Sequence, residues 1–150
     1  MSSATTAKLV GTDQALSTSS ECIWPLLPVS DAVSAIRRQV QARLAAWGFP
    51  PETVDDAALV VSELATNVLV HARPPADVGL SWTWSEGRRR VVHIEVTDSG
   101  PALRSRRHSH RLPIEEYGRG TGIVAALSAR RGTRASSAAR VTRWADLPAV

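Results

Sequence analysis

The sequence predicts an α+β domain in which three helices form one layer on a mixed, mainly antiparallel sheet. Two amphipathic segments, at about 31–47 and 52–72, follow one another with no strand between them. Two segments with alternating apolar residues come next, at 78–84 and 90–98. Because helices and strands do not alternate strictly, a doubly wound parallel sheet is disfavoured. The 150 residues, 43% hydrophobic and 21% charged, suit one globular domain.

The N-terminal residues 1–20 are rich in Ser, Thr and Ala and have no apolar period. This composition predicts a flexible tail ahead of a single domain at 21–150. The domain is expected to start with a short strand at 22–27, where Pro25 favours an edge position.

The two long helices follow. The first should begin at an N-cap supplied by Ser30 or Asp31 and should end with Gly48 at C′. Its apolar residues at helical spacing are Val33, Ile36, Val40, Leu44 and Trp47. The second has acidic residues in its first turn and is stopped by Pro74. The stripe of the second helix that should face the core is Val54, Ala58, Val61, Ala65, Val68 and Ala72.

The C-terminal part is predicted to contain a long loop, the third helix and a last pair of strands. Residues 99–117 are rich in Pro, Ser, Arg and His, which is typical of a loop. The helix should run from about 119 to 131, with Gly132 as its C′ stop. Weaker strand signals lie near 133–136 and 140–147.

The charge balance is positive, with 18 Lys and Arg against 14 Asp and Glu. Lys8 is the only lysine, and the arginines are scattered except at 88–90 and 104–111. A basic patch for nucleic acid is one interpretation. We favour the other, a solvated surface, because charge alone says little about function.

Several classes are excluded or disfavoured. Cys22 is the only cysteine, so an intrachain disulfide and a cysteine zinc cage are both excluded. No charged segment followed by an apolar run begins the chain, and polar residues such as Glu63 interrupt its most apolar stretch. We therefore expect a cytoplasmic protein without a membrane span.

A polar row follows the second helix: Glu63, Asn67 and His71, one turn apart and roughly opposite the apolar stripe. A carboxylate there could accept a proton, and an amide oxygen could ligate a hard cation such as Mg²⁺. The alternative is an exposed polar edge with incidental apolar neighbours. The helix alone does not decide between these interpretations.

Asp98 has the strand parity of the apolar residues Val92, Ile94 and Val96, so its carboxylate should point toward the buried face and need a donor. Gly100, two residues later, would let another group approach the backbone closely. The alternative is a plain turn after the strand.

Glycines at alternate positions, Gly118, Gly120 and Gly122, precede the third helix. Their amides and the helix N-terminus could together favour a phosphate, although a flexible hinge is the alternative. The chain has no Gly-Lys-Ser/Thr run, which excludes a P-loop. The pattern G-x-G-x-x-A at 120–125 follows no apolar strand, so we also reject a dinucleotide fold.

In order and spacing, these segments resemble the motifs of the GHKL ATPases, the superfamily of gyrase, heat-shock chaperones, histidine kinases and mismatch-repair ATPases. Glu63–His71 is similar to the N-box, Asp98–Gly100 to the G1 box, and Gly118–Gly122 to the G2 box. Thr142–Trp144 resembles the end of the last box. The likeness covers roughly 22–147, is greatest to small anti-sigma-factor serine kinases and their actinobacterial relatives, and implies the histidine-kinase-like ATPase fold.

The resemblance implies that the site binds ATP and Mg²⁺. Asp98 would accept a hydrogen bond from the adenine amino group, and Gly100 would let the ring pass close to the backbone. Asn67 would hold Mg²⁺, and Glu63 would be the catalytic base that activates an attacking hydroxyl. Loop 101–117 would be the ATP lid. The other implied nucleotide-binding residues are Gly118, Arg119, Gly120, Thr121 and Gly122 at the phosphates and Thr142 at the adenine.

The resemblance further implies a protein serine/threonine kinase that acts as an anti-sigma factor in transcription regulation. Its partners would be a sigma factor and a STAS-type anti-anti-sigma protein, and its assembly a homodimer. A nucleotide-responsive binding module without phosphotransfer is the alternative. A nucleic-acid binder that uses the arginines is the least expected of the three functions.

Overall fold

The structure, a computed structural model, describes residues 5–9, 18–102, 122–136 and 138–149. Its helices and strands are, in chain order, β1 Thr5–Leu9, β2 Thr18–Leu26, α1 Ala32–Ala46, α2 Pro51–His71, β3 Ala76–Trp84, β4 Arg90–Asp98, α3 at 122–127, β5 Arg130–Ala135 and β6 Val141–Pro148. The predicted α+β class is confirmed.

The strands form one sheet in the order β1-β2-β3-β4-β6-β5. Every pairing between the described strands is antiparallel, although a mixed sheet was expected. One row of paired residues crosses the four inner strands and is completely buried: Cys22, Leu80, Ile94 and Ala145. This row defines the face on which the helices pack.

The two long helices cover that face. α1 packs on α2 and β2, and α2 packs on β4 and β6. Most of the predicted stripe of α2 is confirmed, and the buried side is wider because Val60 and Leu64 are also buried. α1 ends as predicted, at Gly48 with a φ of 77°. Asp31 takes the N-cap position, but its side chain makes no capping hydrogen bond.

Two boundaries differ from the sequence prediction. Thr5–Leu9 of the expected tail pair with Thr18–Leu26, so parts of residues 1–20 belong to the sheet. The two strands are joined by backbone hydrogen bonds, which do not depend on an alternation of apolar side chains. The sequence pattern therefore gave no sign of this pairing. Gly132 does not end the third helix but lies inside β5 opposite Trp144, whose indole would be 2.8 Å from a Cβ at that position. The indole ring of Trp144 thus covers Gly132. The prediction that Gly132 ends a helix did not consider that a glycine in a strand can make room for an aromatic ring on the neighbouring strand.

The sheet face turned away from the helices carries polar pairs. His93 Nδ1 lies 2.5 Å from Asp146 Oδ1, and its Nε2 lies 3.2 Å from Glu95 Oε2. Arg134 Nη2 also donates to that Glu95 oxygen, at 3.0 Å. Hydrogen bonds to Glu95 and Asp146 raise the pKa of His93 above its ordinary value against the opposing effect of burial, and the bond from His93 lowers the pKa of Glu95.

Among the described helices, none combines the length and the hydropathy needed to cross a membrane.

Candidate functional site

A backbone strap joins the end of α2 to the segment that follows β4. Arg73 N donates to Gly100 O at 2.8 Å, Ser99 N donates to Arg73 O at 3.0 Å, and Ala102 N donates to His71 O at 3.0 Å. These bonds fix the C-terminal half of α2 relative to Asp98. The polar row of α2 and Asp98 of β4 are therefore brought to the same end of the sheet. The resemblance to the N-box and the G1 box requires these two features to lie close together.

A cavity of about 400 Å³ opens between α2, α3 and the β5–β6 edge. Its polar and charged lining includes Asn67 and His71 from α2, Arg131 from β5 and Arg143 from β6, and its apolar lining includes Leu64 and Val124. Two arginines thus line a space that is large enough for a small ligand. Such a lining favours an anionic group.

The Asp98 carboxylate is completely buried at the end of β4, with the orientation that strand parity predicted. Its Oδ1 accepts a hydrogen bond from the amide of Gly100 at 2.8 Å. Its Oδ2 accepts one from Arg143 Nη1 at 2.6 Å. The donor that a buried acid requires is therefore an arginine of β6 together with a backbone amide.

Gly100 has a φ of 98°, in the left-handed region that favours glycine. A Cβ at this position would lie 3.1 Å from the carbonyl oxygen of Ala139. The backbone at Gly100 and the backbone at Ala139 thus approach each other closely in the turn beside Asp98. The glycine at position 100 predicted such a close approach.

The predicted site residues of α2 are partly assembled. Asn67 and His71 line the cavity, whereas Glu63 lies half-buried one turn before Asn67 and does not line it. Of the glycine-rich segment, Gly122 is exposed at the beginning of the described part of α3. Gly118, Arg119, Gly120 and Thr121 lie outside the described residues, as does most of the predicted lid at 101–117.

The structure contradicts the predicted role of Thr142 beside the adenine. Thr142 is paired with Thr97, and the two hydroxyl oxygens lie 2.7 Å apart on the sheet face turned away from the helices. Side chains alternate along a strand, so a one-residue difference in position moves a side chain to the other face. The residue paired with Asp98 on the site face is Val141.

Two arginines of the site were missed in the sequence. Arg143 has the strand parity of Ala145 and Leu147, which are buried, so parity alone would have placed it on the helix-covered face. Arg131 was assigned to the third helix, which ends before β5, and its strand position could not be derived from that assignment.

The sequence profile of the histidine kinase-like ATPase domain matches residues 28–142. The chain belongs to this family. The match includes the polar row of α2, Asp98 and Gly100, and confirms the resemblance found in the motifs. No curated protein sequence matches the chain.

Comparison with one solved structure supports the fold of this histidine kinase-like ATPase domain. The RsbU and RsbW domains of Rv1364c from Mycobacterium tuberculosis superpose with a TM-score of 0.60 at 17% identity, over 87% of this chain. The chain corresponds to only 33% of that structure. The SiaB–SiaC complex from Pseudomonas aeruginosa gives a TM-score of 0.43 at 12% identity, over 84% of this chain and 88% of the other.

Proposed function

We propose that this domain is a cytoplasmic, ATP- and Mg²⁺-dependent serine/threonine protein kinase that acts as an anti-sigma factor and regulates transcription. The observation that supports the proposal most is the strap, which ties the end of α2, the helix that carries Asn67 on the cavity wall, to the segment that follows the buried carboxylate of Asp98. Membership of the histidine kinase-like ATPase family supplies the nucleotide class.

In this proposal, the base of ATP lies at the Asp98 end of the cavity and the phosphates lie toward α3. Asn67 is on the cavity wall. Arg131 of the cavity wall would lower the electrostatic energy of a bound polyphosphate, whereas the charge of Arg143 is compensated by Asp98. The amides around Gly118 and Gly122 are the proposed phosphate donors.

A single magnesium ion fits the donor set when the nucleotide is present. Mg²⁺ usually binds through one or two protein oxygens together with substrate phosphates and water. Asn67 offers one amide oxygen, and the described residues contain no group of three His, Cys, Asp or Glu side chains that would hold an ion alone. Asn67 would therefore hold the ion against the phosphates, where it neutralises their charge.

The proposed reaction is transfer of the γ-phosphoryl group to a serine hydroxyl of a partner. The serine oxygen forms a bond to the γ-phosphorus, the bond from that phosphorus to the β,γ-bridging oxygen breaks, and ADP leaves. Glu63 takes the serine proton. Its side chain is half-buried, which leaves it accessible to a partner that docks at the α2 edge.

The proposed partners are a sigma factor and a STAS-type anti-anti-sigma protein that carries the acceptor serine, and the proposed assembly is a homodimer. The proposal rests on the likeness to small anti-sigma-factor kinases. The Mycobacterium tuberculosis structure contains an RsbW domain beside an RsbU domain.

The test uses labelled ATP, Mg²⁺ and a STAS-type protein with a serine acceptor. We expect transfer by the wild type, no transfer by Glu63→Gln, and the same MgATP affinity for both proteins in calorimetry. Glu52→Gln is the matched control, because Glu52 is an exposed residue in the first turn of the same helix.

Binding of MgATP without transfer would identify a nucleotide-responsive binding module instead of a kinase. Absence of MgATP binding would overturn both of these functions. Association with DNA that falls steeply with salt and ignores ATP would indicate a nucleic-acid binder.

A further inference from the structure

The buried acid of the site is closed off by an ion pair. The side chain of Asp98 is 1% exposed and does not line the cavity, although the proposed function requires it to meet the base of ATP. Two groups donate to its carboxylate, the Gly100 amide and the Arg143 guanidinium, and of these two residues only Arg143 also lines the cavity. The route from the cavity to the carboxylate therefore passes the Arg143 side chain.

Arg143 and a base would use the same oxygen of Asp98. Oδ1 accepts from the Gly100 amide at 2.8 Å, and Oδ2 accepts from Arg143 Nη1 at 2.6 Å. A hydrogen bond between two charged groups at such a distance is stronger than one from a neutral amino group. Because the carboxylate is buried and both of its oxygens have a partner, a base can reach Oδ2 only when the guanidinium moves away.

The Arg143 guanidinium is held in this position by one contact. Asp98 is its only hydrogen-bond acceptor and its only ion-pair partner among the residues that the structure describes. The Arg143 side chain is 33% exposed, so a released guanidinium is solvated and not buried. The backbone ladder between β4 and β6 does not depend on this contact. The pair can therefore open by a side-chain movement alone.

We propose that the ion pair between Arg143 and Asp98 is an autoinhibitory latch, which closes the empty nucleotide site and must open before the base of ATP can bind. This inference rests on the proposed nucleotide-binding function. The measured affinity for ATP is then the affinity of the open form reduced by the fraction of molecules in which the latch is open. Arg143 has no role in the transfer step.

Removing the arginine should have opposite effects on the empty and the occupied protein. In the empty Arg143→Met variant, the buried carboxylate has no counter-charge, which destabilises the fold. In the occupied site, the amino group of adenine donates to Oδ2 of Asp98, and the variant has no ion pair to break. ATP should therefore bind more tightly to the variant, although the variant alone is less stable than the wild type.

The experiment measures the affinities of the full chain for MgATP and for magnesium tripolyphosphate by calorimetry. We expect Arg143→Met to bind MgATP about tenfold more tightly than the wild type or better, which corresponds to a latch that is open in about one molecule in ten or fewer. Tripolyphosphate has no base and does not need the carboxylate, so its affinity should not increase. Arg143→Gln, which keeps a neutral N–H donor, should bind MgATP with an intermediate affinity.

Arg131→Met is the matched control, because Arg131 lines the same cavity and makes no contact with Asp98 in the described structure. It should weaken the binding of both ligands, since a cation near the phosphates is lost. Tighter MgATP binding by both methionine variants would mean that the effect is not specific to the ion pair, and would overturn the latch. An unchanged or weaker MgATP affinity in Arg143→Met would also overturn it.

Failure of the latch and failure of the proposed function give different results. MgATP binding that does not tighten in Arg143→Met or Arg143→Gln removes the latch and leaves the nucleotide function intact. Absence of MgATP binding by the wild type and by both of these variants overturns both. If Arg143→Met is unfolded without ligand, MgATP should restore its fold, because a ligand that binds the folded state stabilises it, whereas tripolyphosphate should not. Restoration by both ligands alike would contradict the latch.

Discussion

The guanidinium of Arg90 lies 3.8 Å from the ring centroid of Phe49. The same group donates to the carbonyl oxygens of Trp47 and Gly48, at 2.9 Å each. The C-terminus of α1 carries partial negative charge and carbonyl groups without a partner inside the helix. Arg90, at the start of β4, offsets that charge and donates hydrogen bonds to two carbonyls there. The first helix is thus attached to the sheet by an arginine of the run at 88–90, which reduces the charge available there for a polyanion.

Replacing this cation should destabilise the fold. We expect Arg90→Ala to lower the free energy of unfolding by about 2 kcal/mol, because charged hydrogen bonds and a cation–π contact are lost. Arg90→Lys should recover only part of the loss, because an ammonium lacks the planar fork. Urea denaturation measures both. Arg89→Ala, at an exposed neighbour, is the control, and an equal effect of the two alanine variants would contradict the role of Arg90.

Gly100→Ala should affect both stability and nucleotide binding. The φ of 98° strains any side chain, and the new Cβ would press on the Ala139 carbonyl oxygen at 3.1 Å. We expect a loss of more than about 1 kcal/mol in unfolding free energy and weaker MgATP binding, because the Gly100 amide holds Asp98. Gly48→Ala is the control: its φ is 77° with nothing within 4 Å, so it should show the strain without the change in binding.

Thr142→Val tests on which face of the sheet this residue lies. The hydroxyl bonds to Thr97 away from the cavity, so MgATP affinity should stay within about threefold of wild type. The free energy of unfolding should fall by about 1 kcal/mol, because Thr97 loses its partner. A double-mutant cycle with Thr97→Val should show coupling between the two residues. A large loss of nucleotide affinity in Thr142→Val would show instead that this residue lies beside the adenine, as the motif resemblance implies.

His93 should make stability depend on pH. Its pKa is raised above 6.5 in the folded protein, so it binds a proton more tightly there than in the unfolded chain. The resulting stabilisation is fully present below pH 6.5 and is lost as pH rises through the folded pKa. Denaturation between about pH 5 and pH 8 should show this fall in the wild type and not in His93→Gln. Parallel profiles would contradict it.

The sequence predicts most of the fold because its strongest patterns coincide with buried faces. The apolar stripe of α2 and the alternation in β4 are both dictated by burial, and both are confirmed. Asp98 follows from the same parity argument. β5 was the weakest prediction, because four of its six residues are Arg or Gly and the packing of Trp144 on Gly132 is a contact between strands.

The candidate site was predicted less completely than the fold. The motif resemblance pointed to Asn67, Asp98 and Gly100, and the strap ties the end of α2, the helix that carries Asn67, to Gly100. It placed Thr142 on the wrong face because a motif gives spacing without register. Arg143 lies within the last motif, but no role was assigned to it there, and its contact with Asp98 is visible only when β4 and β6 are paired.

The strap should also be detectable by hydrogen exchange of its backbone amides. The amides of Arg73, Ser99 and Ala102 are all donors between the helix end and the strand end. Each can exchange with deuterium only when these two chain segments separate, so the three should exchange as one cooperative unit. A molecule that fills the neighbouring cavity would slow their exchange together. The backbone amides of the strap would thereby report the occupancy of the cavity.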